Sequence, residues 1–194
     1  NQFRISELGG HFGSAIDGVV VGCPDIPNPE NPILTEMKTH GEKSFVKLKK
    51  EGMRASKPMH YAQIQVYMRK MALAICLYIA VNKNTDELYF ELIPLDAAVA
   101  DQFIDRGIKI VMADEPPVGL STKGASWFEC KMCEYADVCY RGDDAVMSCR
   151  TCRYSRPVED GTWKCINPAV NRTITTDEQI QACSLYEMAP YYGR

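Results

Sequence analysis

The sequence predicts an α/β fold, in which a mixed central sheet is flanked by helices and followed by a cysteine-rich C-terminal region. Short apolar, β-branched runs separated by Pro, Gly and Asn turns occur in the first half of the chain, as expected of strands. Segments with helical spacing lie between them. Beyond a Pro-containing linker the composition shifts to cysteine, so we predict two regions, residues 1–124 and 125–194.

Composition limits the classes of function. The chain has 194 residues, of which 46% are hydrophobic, enough for one core with an appendage. Its formal net charge of −3 excludes a strongly basic coat for nucleic acid, so any contact with a polyanion must come from a local patch. The longest apolar run, residues 72–81, is too short for a membrane span of ~20 residues, and no signal peptide opens the chain. We therefore expect a soluble, cytoplasmic protein.

The first two predicted strands, residues 16–22 and 33–39, flank a proline-rich loop. Side chains alternate along a strand, so Glu36 and Lys38 share one face. If Asp17 on the neighbouring strand faces the same side, two carboxylates and an ammonium converge. Such a set can hold Mg²⁺ through its carboxylates and stabilise charge on a phosphate through its lysine. The alternative is a half-exposed hairpin with an ordinary Glu–Lys pair on its surface.

Two helices are predicted next. The first, residues 42–51, lies in the most basic stretch of the chain and ends at Gly52, a plausible C-cap. It is either a contact for a nucleic-acid backbone or a solvated helix face. The second, residues 58–72, begins with proline and carries Gln63 and Tyr67 at i and i+4, on one stripe. By itself this pattern fits an amphipathic helix whose polar stripe faces solvent.

The rest of the core follows from periodicity. Residues 72–81 form an apolar run that predicts a buried strand, and Cys76 within it is expected in the core. Residues 87–93 alternate as the next strand, and residues 96–112 predict a helix. This order gives a mixed sheet with helices between and beyond its strands.

Three ordered motifs resemble the PD-(D/E)xK nuclease superfamily, especially its RecB-like branch with a Q-x-x-x-Y motif. They are Asp17, then Glu36-Met37-Lys38, then Gln63-Ile64-Gln65-Val66-Tyr67. A C-x2-C-x5-C run is similar to the iron-sulphur members, the AddB-type nucleases and the CRISPR-associated adaptation exonucleases; its members are Cys130, Cys133 and Cys139. Phage recombination exonucleases look nearest. The resemblance covers roughly residues 9–140.

This resemblance implies a restriction-endonuclease-like core and metal-dependent cleavage of DNA, by an exonuclease that processes ends in recombination or repair. Asp17 and Glu36, with the Met37 carbonyl, would bind Mg²⁺ or Mn²⁺. Lys38 would position the nucleophile and stabilise the pentavalent state of the phosphate by its charge. Gln63 would reach Lys38 or the attacking water, and Tyr67, on the same helix, would support it.

Partners and chain limits also follow from the resemblance. DNA would be contacted through its backbone without sequence readout. A single-strand annealing protein is a possible phage partner, and a phage-encoded chain would work in the host cytoplasm. RecB-like nucleases usually carry a helix before the first active strand, so we expect that an N-terminal segment is missing here.

The nine cysteines favour metal ligation over disulfides, because their number is odd and no secretion signal is present. Four follow a C-x2-C-x12-C-x17-C pattern that suits tetrahedral Zn²⁺, with a hairpin turn at residues 159–161 between the second and third; they are Cys149, Cys152, Cys165 and Cys183. The group at residues 130–139 has three cysteines, so its fourth ligand is unidentified, with Cys23 as a substitute. Its metal is a [4Fe–4S] cluster, which the resemblance favours, or a second zinc ion.

Two further alternatives stay open. His11 precedes Asp17 by six residues and is expected to be a turn histidine rather than a metal ligand. The whole chain can also be interpreted as a non-catalytic zinc-ribbon module that binds nucleic acid or protein, with the sheet only as its scaffold.

Overall fold

A computed structural model describes residues 3–117, 123–140 and 145–192. The chain divides into two compact units, the first comprising residues 1–7 and 13–107, and the second residues 8–12 and 108–194. The sequence places the boundary between regions at residue 124. No helix in the described part of the chain is long and apolar enough to cross a membrane.

The first unit is an α/β layer structure with a mixed four-stranded sheet, as predicted. Its strands, in sheet order, are β3 (Gly18–Val20), β4 (Ile33–His40), β5 (Ile75–Asn82) and β6 (Leu88–Pro94). The β3–β4 and β5–β6 pairs are antiparallel, and the central β4–β5 pair is parallel. Two shorter strands, β1 (Arg4–Glu7) and β2 (Phe12–Ala15), form a separate two-stranded sheet.

Helices α1 (Glu42–Ser56) and α2 (Pro58–Met71) connect β4 to β5, and α3 (Ala97–Met112) follows β6. A parallel pair needs a crossover of this length. The core is formed by the inner faces of these elements; it includes Leu34, Phe45, Leu48, Met53, Ile64, Met68, Cys76, Tyr78 and Ile93. The prediction that Cys76 is a core residue is confirmed, since its side chain is fully buried.

The predicted end of the first helix at Gly52 was wrong, although this glycine does break the helix. The helix continues to Ser56, and Gly52 interrupts it with φ 73° and ψ 169°. Left-handed φ of this kind favours glycine. The carboxylate of Glu91 accepts a 2.8 Å hydrogen bond from the amide of Met53, which satisfies a donor that the break leaves without a helical partner.

Two strand boundaries also differ from prediction. The strand expected at residues 72–81 begins only at Ile75, because Ala72 adopts a left-handed conformation that caps α2. The strand expected at residues 16–22 is limited to β3. The predictions for residues 87–93 and 96–112 are confirmed within one residue at each end.

The second unit contains short elements. An antiparallel three-stranded sheet is built from β7 (Ser155–Pro157), β8 (Trp163–Cys165) and β9 (Arg172–Ile174). The predicted hairpin turn is confirmed: the Val158 amide donates to the Thr162 carbonyl at 2.9 Å. The short helices are α4 (Phe128–Lys131), α5 (Ala136–Tyr140) and α6 (Thr176–Gln179).

Candidate active site

Strand β4 brings Glu36 and Lys38 to the same, helix-facing side of the sheet. Glu36 is completely buried, whereas about a quarter of the Lys38 side chain (26%) is exposed. Lys38 Nζ donates a hydrogen bond to Glu36 Oε1 and forms an ion pair with it. The alternation read from the sequence therefore yields a direct contact between these two side chains.

The second carboxylate oxygen of Glu36 is unusual. Among the described residues Oε2 has no hydrogen-bond partner, although it is buried. Burial raises the pKa of Glu36, the hydrogen bond and charge of Lys38 lower it, and the charge of Asp17 raises it again. A buried carboxylate oxygen without a partner is costly unless it is protonated or bound to a cation. The atom is thus a candidate ligand for a hard metal ion.

Asp17 lies immediately before β3 and approaches the centre of β4. The register pairs Gly18 with Thr35, and continuing it by one residue sets Asp17 across from Glu36. The amide of Met37 donates a 2.8 Å hydrogen bond to Asp17 Oδ2. One carboxylate is exposed and the other buried, and both lie within electrostatic range of each other. The structure thus brings together the predicted acid, acid and lysine, while their chemical roles stay predictions.

Gln63 and Tyr67 lie on α2 and interact with each other. Gln63 Nε2 donates to the Tyr67 hydroxyl at 2.7 Å, and that hydroxyl is 2.6 Å from Ser14 Oγ on β2. Because the phenol accepts from Gln63, its own proton is available for Ser14. Tyr67 is almost fully buried, so this chain of hydrogen bonds fixes α2 against β2. The predicted stripe exists, with the Gln63 amide engaged by Tyr67.

Three side chains near Lys38 were not recognised as a group in the sequence. The Tyr78 hydroxyl lies 3.0 Å from His40 Nε2 and 2.9 Å from His60 Nδ1. The two imidazole rings are stacked, with centroids 5.7 Å apart and planes at 17°. A local signal existed, since His40 follows Lys38 by two residues on one strand face and His60 precedes Gln63 by three residues on one helix face.

Both imidazoles are held neutral by their surroundings. Burial lowers the pKa of His60 to about 4, with further lowering from the charge of Lys38, from His40 and from Lys57. Burial also lowers the pKa of His40, followed by the charges of Lys57 and Lys38. Burial, followed by the charge of Glu36, raises the pKa of Tyr78. The group at this wall of the site is therefore uncharged at neutral pH.

The basic stretch of α1 is partly neutralised. Lys47 lies 3.7 Å from the carboxylate of Glu51, and Lys49 pairs with Glu87. Among the described residues no ion pair involves the exposed Lys43, and the same holds for Lys50. Lys57, just before α2, donates a 3.2 Å hydrogen bond to the Ser44 carbonyl. Both readings of this surface, a DNA contact and a solvated face, remain compatible with its charges.

Two groups were predicted among the cysteines of the second unit. Burial raises the pKa of Cys149, and the charges of Cys183, Cys152 and Cys165 raise it further, so each of these three lies within electrostatic range of Cys149. In the other group, Cys130 Sγ is 3.7 Å from the Tyr140 hydroxyl, and Cys139 and Cys133 lie within electrostatic range of it.

All nine cysteines are free thiols. Within residues 3–117, 123–140 and 145–192, no three His, Cys, Asp or Glu side chains are arranged as a ready-made metal site. Thiolates at these spacings remain a chemically suitable donor set for zinc. The zinc, iron-sulphur and magnesium assignments therefore stay predictions.

His11 and Cys23 have other neighbours. His11 Nε2 donates to the Thr162 carbonyl at 3.1 Å, and its ring meets Trp163 edge-on at 5.7 Å. This is the environment of a turn histidine in the second unit. Cys23 lies in the first unit and lines a groove together with Leu77 and Phe90.

Comparisons with known proteins add little. No protein-family model matches the chain, and no curated protein matches it. Among solved structures, the crystal structure of SSO0001 aligns with a TM-score of 0.32 and 18% identity, over 56% of this chain and 47% of that chain. The aligned part thus spans less than half of that protein, and a likeness this weak does not establish a shared fold or activity.

Proposed function

We propose that this chain is a divalent-metal-dependent DNA nuclease of the PD-(D/E)xK type, with a restriction-endonuclease-like core and a cysteine-rich metal-binding appendage. The observation that carries the proposal is the buried, unpartnered Oε2 of Glu36, which lies beside Lys38 and across from Asp17. An oxygen in that state favours a cation as its partner, and the donor set is that of a Mg²⁺ or Mn²⁺ site.

Asp17 and Glu36, with the Met37 carbonyl, would hold the ion, which supplies a reactive water and offsets charge on the phosphate when bound. The exposed Asp17 would be reached first by solvent and substrate, and the Met37 amide fixes its orientation. Lys38 keeps its ammonium against Glu36 and directs positive charge towards a phosphodiester. Tyr67 holds the Gln63 side chain, whose amide would orient water for the reaction.

DNA is the proposed substrate because a phosphodiester supplies the oxygen ligands that complete such a site. The ammonium groups of Lys43 and Lys50 on α1 offer sequence-independent contacts to its backbone. The resemblance favours action on DNA ends. An exonuclease of this kind leaves covalently closed circles intact, whereas an endonuclease opens them.

The decisive experiment is digestion of linear DNA with Mg²⁺ by the wild-type protein and Lys38→Ala. We expect the variant to lose at least about 100-fold in rate, because it lacks the charge that stabilises the phosphate. Lys109→Ala, an exposed position on α3, is the matched control and should cleave normally. Cleavage by Lys38→Ala at the wild-type rate would reject the site. DNA binding without any cleavage by the wild-type protein would favour the non-catalytic zinc-ribbon module instead.

A further inference from the structure

We propose that His40, Tyr78 and His60 form a hydrogen-bonded positioning bridge for Lys38, which ties α2 to β4 and lines the lysine with uncharged rings. The proposal extends the function proposed above and rests on it for the role of Lys38. None of the three side chains would touch substrate, so they are positioning residues rather than catalytic ones. The hydroxyl of Tyr78 is the centre of the bridge, with an imidazole nitrogen at 3.0 Å on one side and 2.9 Å on the other.

The sheet register explains the location. Glu36, Lys38 and His40 alternate along the inner face of β4, and their partners on β5 are Tyr78, Ala80 and Asn82. Ala80 carries only a methyl group beside Lys38, so the larger Tyr78 can reach from its place beside Glu36 to His40. The bridge therefore passes along the side of the lysine. Its third member comes from the first turn of α2, three residues before Gln63.

The hydrogen bonds restrict where the protons lie. A phenol has one proton and can also accept, and the Tyr78 hydroxyl contacts no third acceptor among the described residues, so its buried proton is used only if it donates to one imidazole and accepts from the other. If His40 donates from Nε2, Tyr78 donates to Nδ1 of His60, and both rings carry their proton on Nε2. If His60 donates from Nδ1, Tyr78 donates to Nε2 of His40, and both rings carry their proton on Nδ1. A bridge in which the phenol proton is used therefore gives the two neutral rings the same tautomer.

Charge around the bridge explains why it stays neutral. The charged and titratable groups that act on it come from β4, from the start of α2, and from the two neighbouring strands; they are Glu36, Lys38, Lys57, Cys76, Tyr89 and Glu91. Lys38 and Lys57 both disfavour a proton on either ring. The neutral bridge therefore places no positive charge beside the Lys38 ammonium.

The tautomer rule gives a test that needs no enzymatic activity. The chain has 3 histidines, and His11→Gln leaves only the two of interest for nitrogen-15 NMR of the metal-free protein. We expect His40 and His60 to share one tautomer at neutral pH, and Tyr78→Phe to abolish that match or mix the tautomers. Opposite tautomers in the wild-type protein, or spectra unchanged in Tyr78→Phe, would overturn the bridge.

Conservative variants test the effect on Lys38. The side-chain amide of asparagine can replace Nδ1 of His60, and that of glutamine can replace Nε2 of His40. We expect His60→Asn and His40→Gln to keep kcat within about 3-fold, and His60→Leu to lose about 10-fold or more with KM little changed, a loss typical of altered positioning. If His60 only filled space, leucine could replace it without loss of rate. Equal rates in His60→Leu and His60→Asn would therefore overturn the positioning role.

The tautomer readout separates failure of this inference from failure of the proposed function, because it is made on the metal-free protein without substrate. If the wild-type protein cleaves no DNA, the nuclease proposal fails, while the tautomers of His40 and His60 still decide the bridge. Opposite tautomers of the two rings would reject the bridge even in an active nuclease.

Discussion

The amide of Met37 donates a 2.8 Å hydrogen bond to Oδ2 of Asp17. This contact fixes an exposed carboxylate against the middle residue of the Glu36-Met37-Lys38 motif, one residue away from a buried carboxylate. The charge of Asp17 raises the pKa of Glu36, so the two acids sense each other. A divalent cation between them would relieve that repulsion, and the coupling between the two acids can be measured.

Asp17→Asn tests this coupling, because asparagine keeps an oxygen that can accept from the Met37 amide but removes the charge. We expect the variant to fold and to bind Mg²⁺ about 10-fold or more weakly, with a fall in DNA cleavage of about 100-fold. Binding is measured from the Mg²⁺-dependent rise in melting temperature. Asp25→Asn, an exposed acid in the following loop, is the matched control. Unchanged Mg²⁺ affinity in Asp17→Asn would remove Asp17 from the metal site.

Glu36→Gln tests the buried carboxylate through pH. Burial raises the pKa of Glu36 above its ordinary value of 4.5, so the native state holds this proton more tightly than the unfolded state. The contribution of the protonated Glu36 carboxyl to the stability of the native state is therefore complete below pH 4.5, the ordinary pKa. It is lost as pH rises through the higher native pKa. Glutamine does not titrate, so the stability of Glu36→Gln relative to wild type should increase over that range and then level off.

Urea unfolding in EDTA between about pH 4 and 8 measures this difference. Adding Mg²⁺ at pH above the native pKa should stabilise the wild-type protein more than Glu36→Gln, because glutamine lacks the negative charge that would hold the ion together with Asp17. Parallel stability curves for the two proteins across the whole pH range would show that Glu36 is ionised without penalty.

The face shared by Glu36 and Lys38 was predictable because alternation along one strand is a local property. The sequence could not predict whether Asp17 approaches Glu36, because this depends on the register of two strands separated by a proline-rich loop. The sequence-based prediction therefore stated it only as a condition. The break at Gly52 was visible as glycine, but the helical turn beyond it is stabilised by Glu91 on a distant strand. Local patterns carry no information on such partners.

The bridge around Tyr78 could not be predicted from the sequence for the same reason. Its members come from three elements, and only the parallel pairing of β4 with β5 brings His40 and Tyr78 together. In sequence, His60 is one polar residue on an amphipathic helix. Its buried environment and depressed pKa appear only once α2 packs on the sheet.

The lysines of α1 provide a test of DNA contact. Lys43 and Lys50 are exposed and form no ion pair within the described part of the chain, whereas Lys49 pairs with Glu87. If Lys43 and Lys50 contact phosphates, the double variant Lys43→Gln/Lys50→Gln should bind DNA with a weaker salt dependence. The negative slope of log K for DNA binding against log salt concentration should become less steep by about 2. Lys49→Gln is the control in the same helix and should change the slope less. Equal slopes in all three proteins would identify this surface as a solvated face.

Cys183→Ser tests the predicted zinc site of the second unit. The charges of Cys183, Cys152 and Cys165 all raise the pKa of Cys149, so each lies within electrostatic range of it. Zinc that binds four thiolates contributes folding free energy, and its loss should unfold this unit. We expect elemental analysis of the wild-type protein to find zinc, and Cys183→Ser to lose about one zinc ion per chain with a lower melting temperature.

The other cysteine group is distinguished from this site by its own variant. Cys133→Ser should keep the zinc of the second group and lose iron and visible absorbance if residues 130–139 hold a cluster, or lose a second zinc ion if they do not. Cys23→Ser in the first unit is the control, and an effect of this variant on the iron content would identify Cys23 as the fourth ligand.

Retention of all metal in Cys183→Ser would exclude Cys183 as a ligand, because a thiolate site that loses one of four donors binds zinc far more weakly.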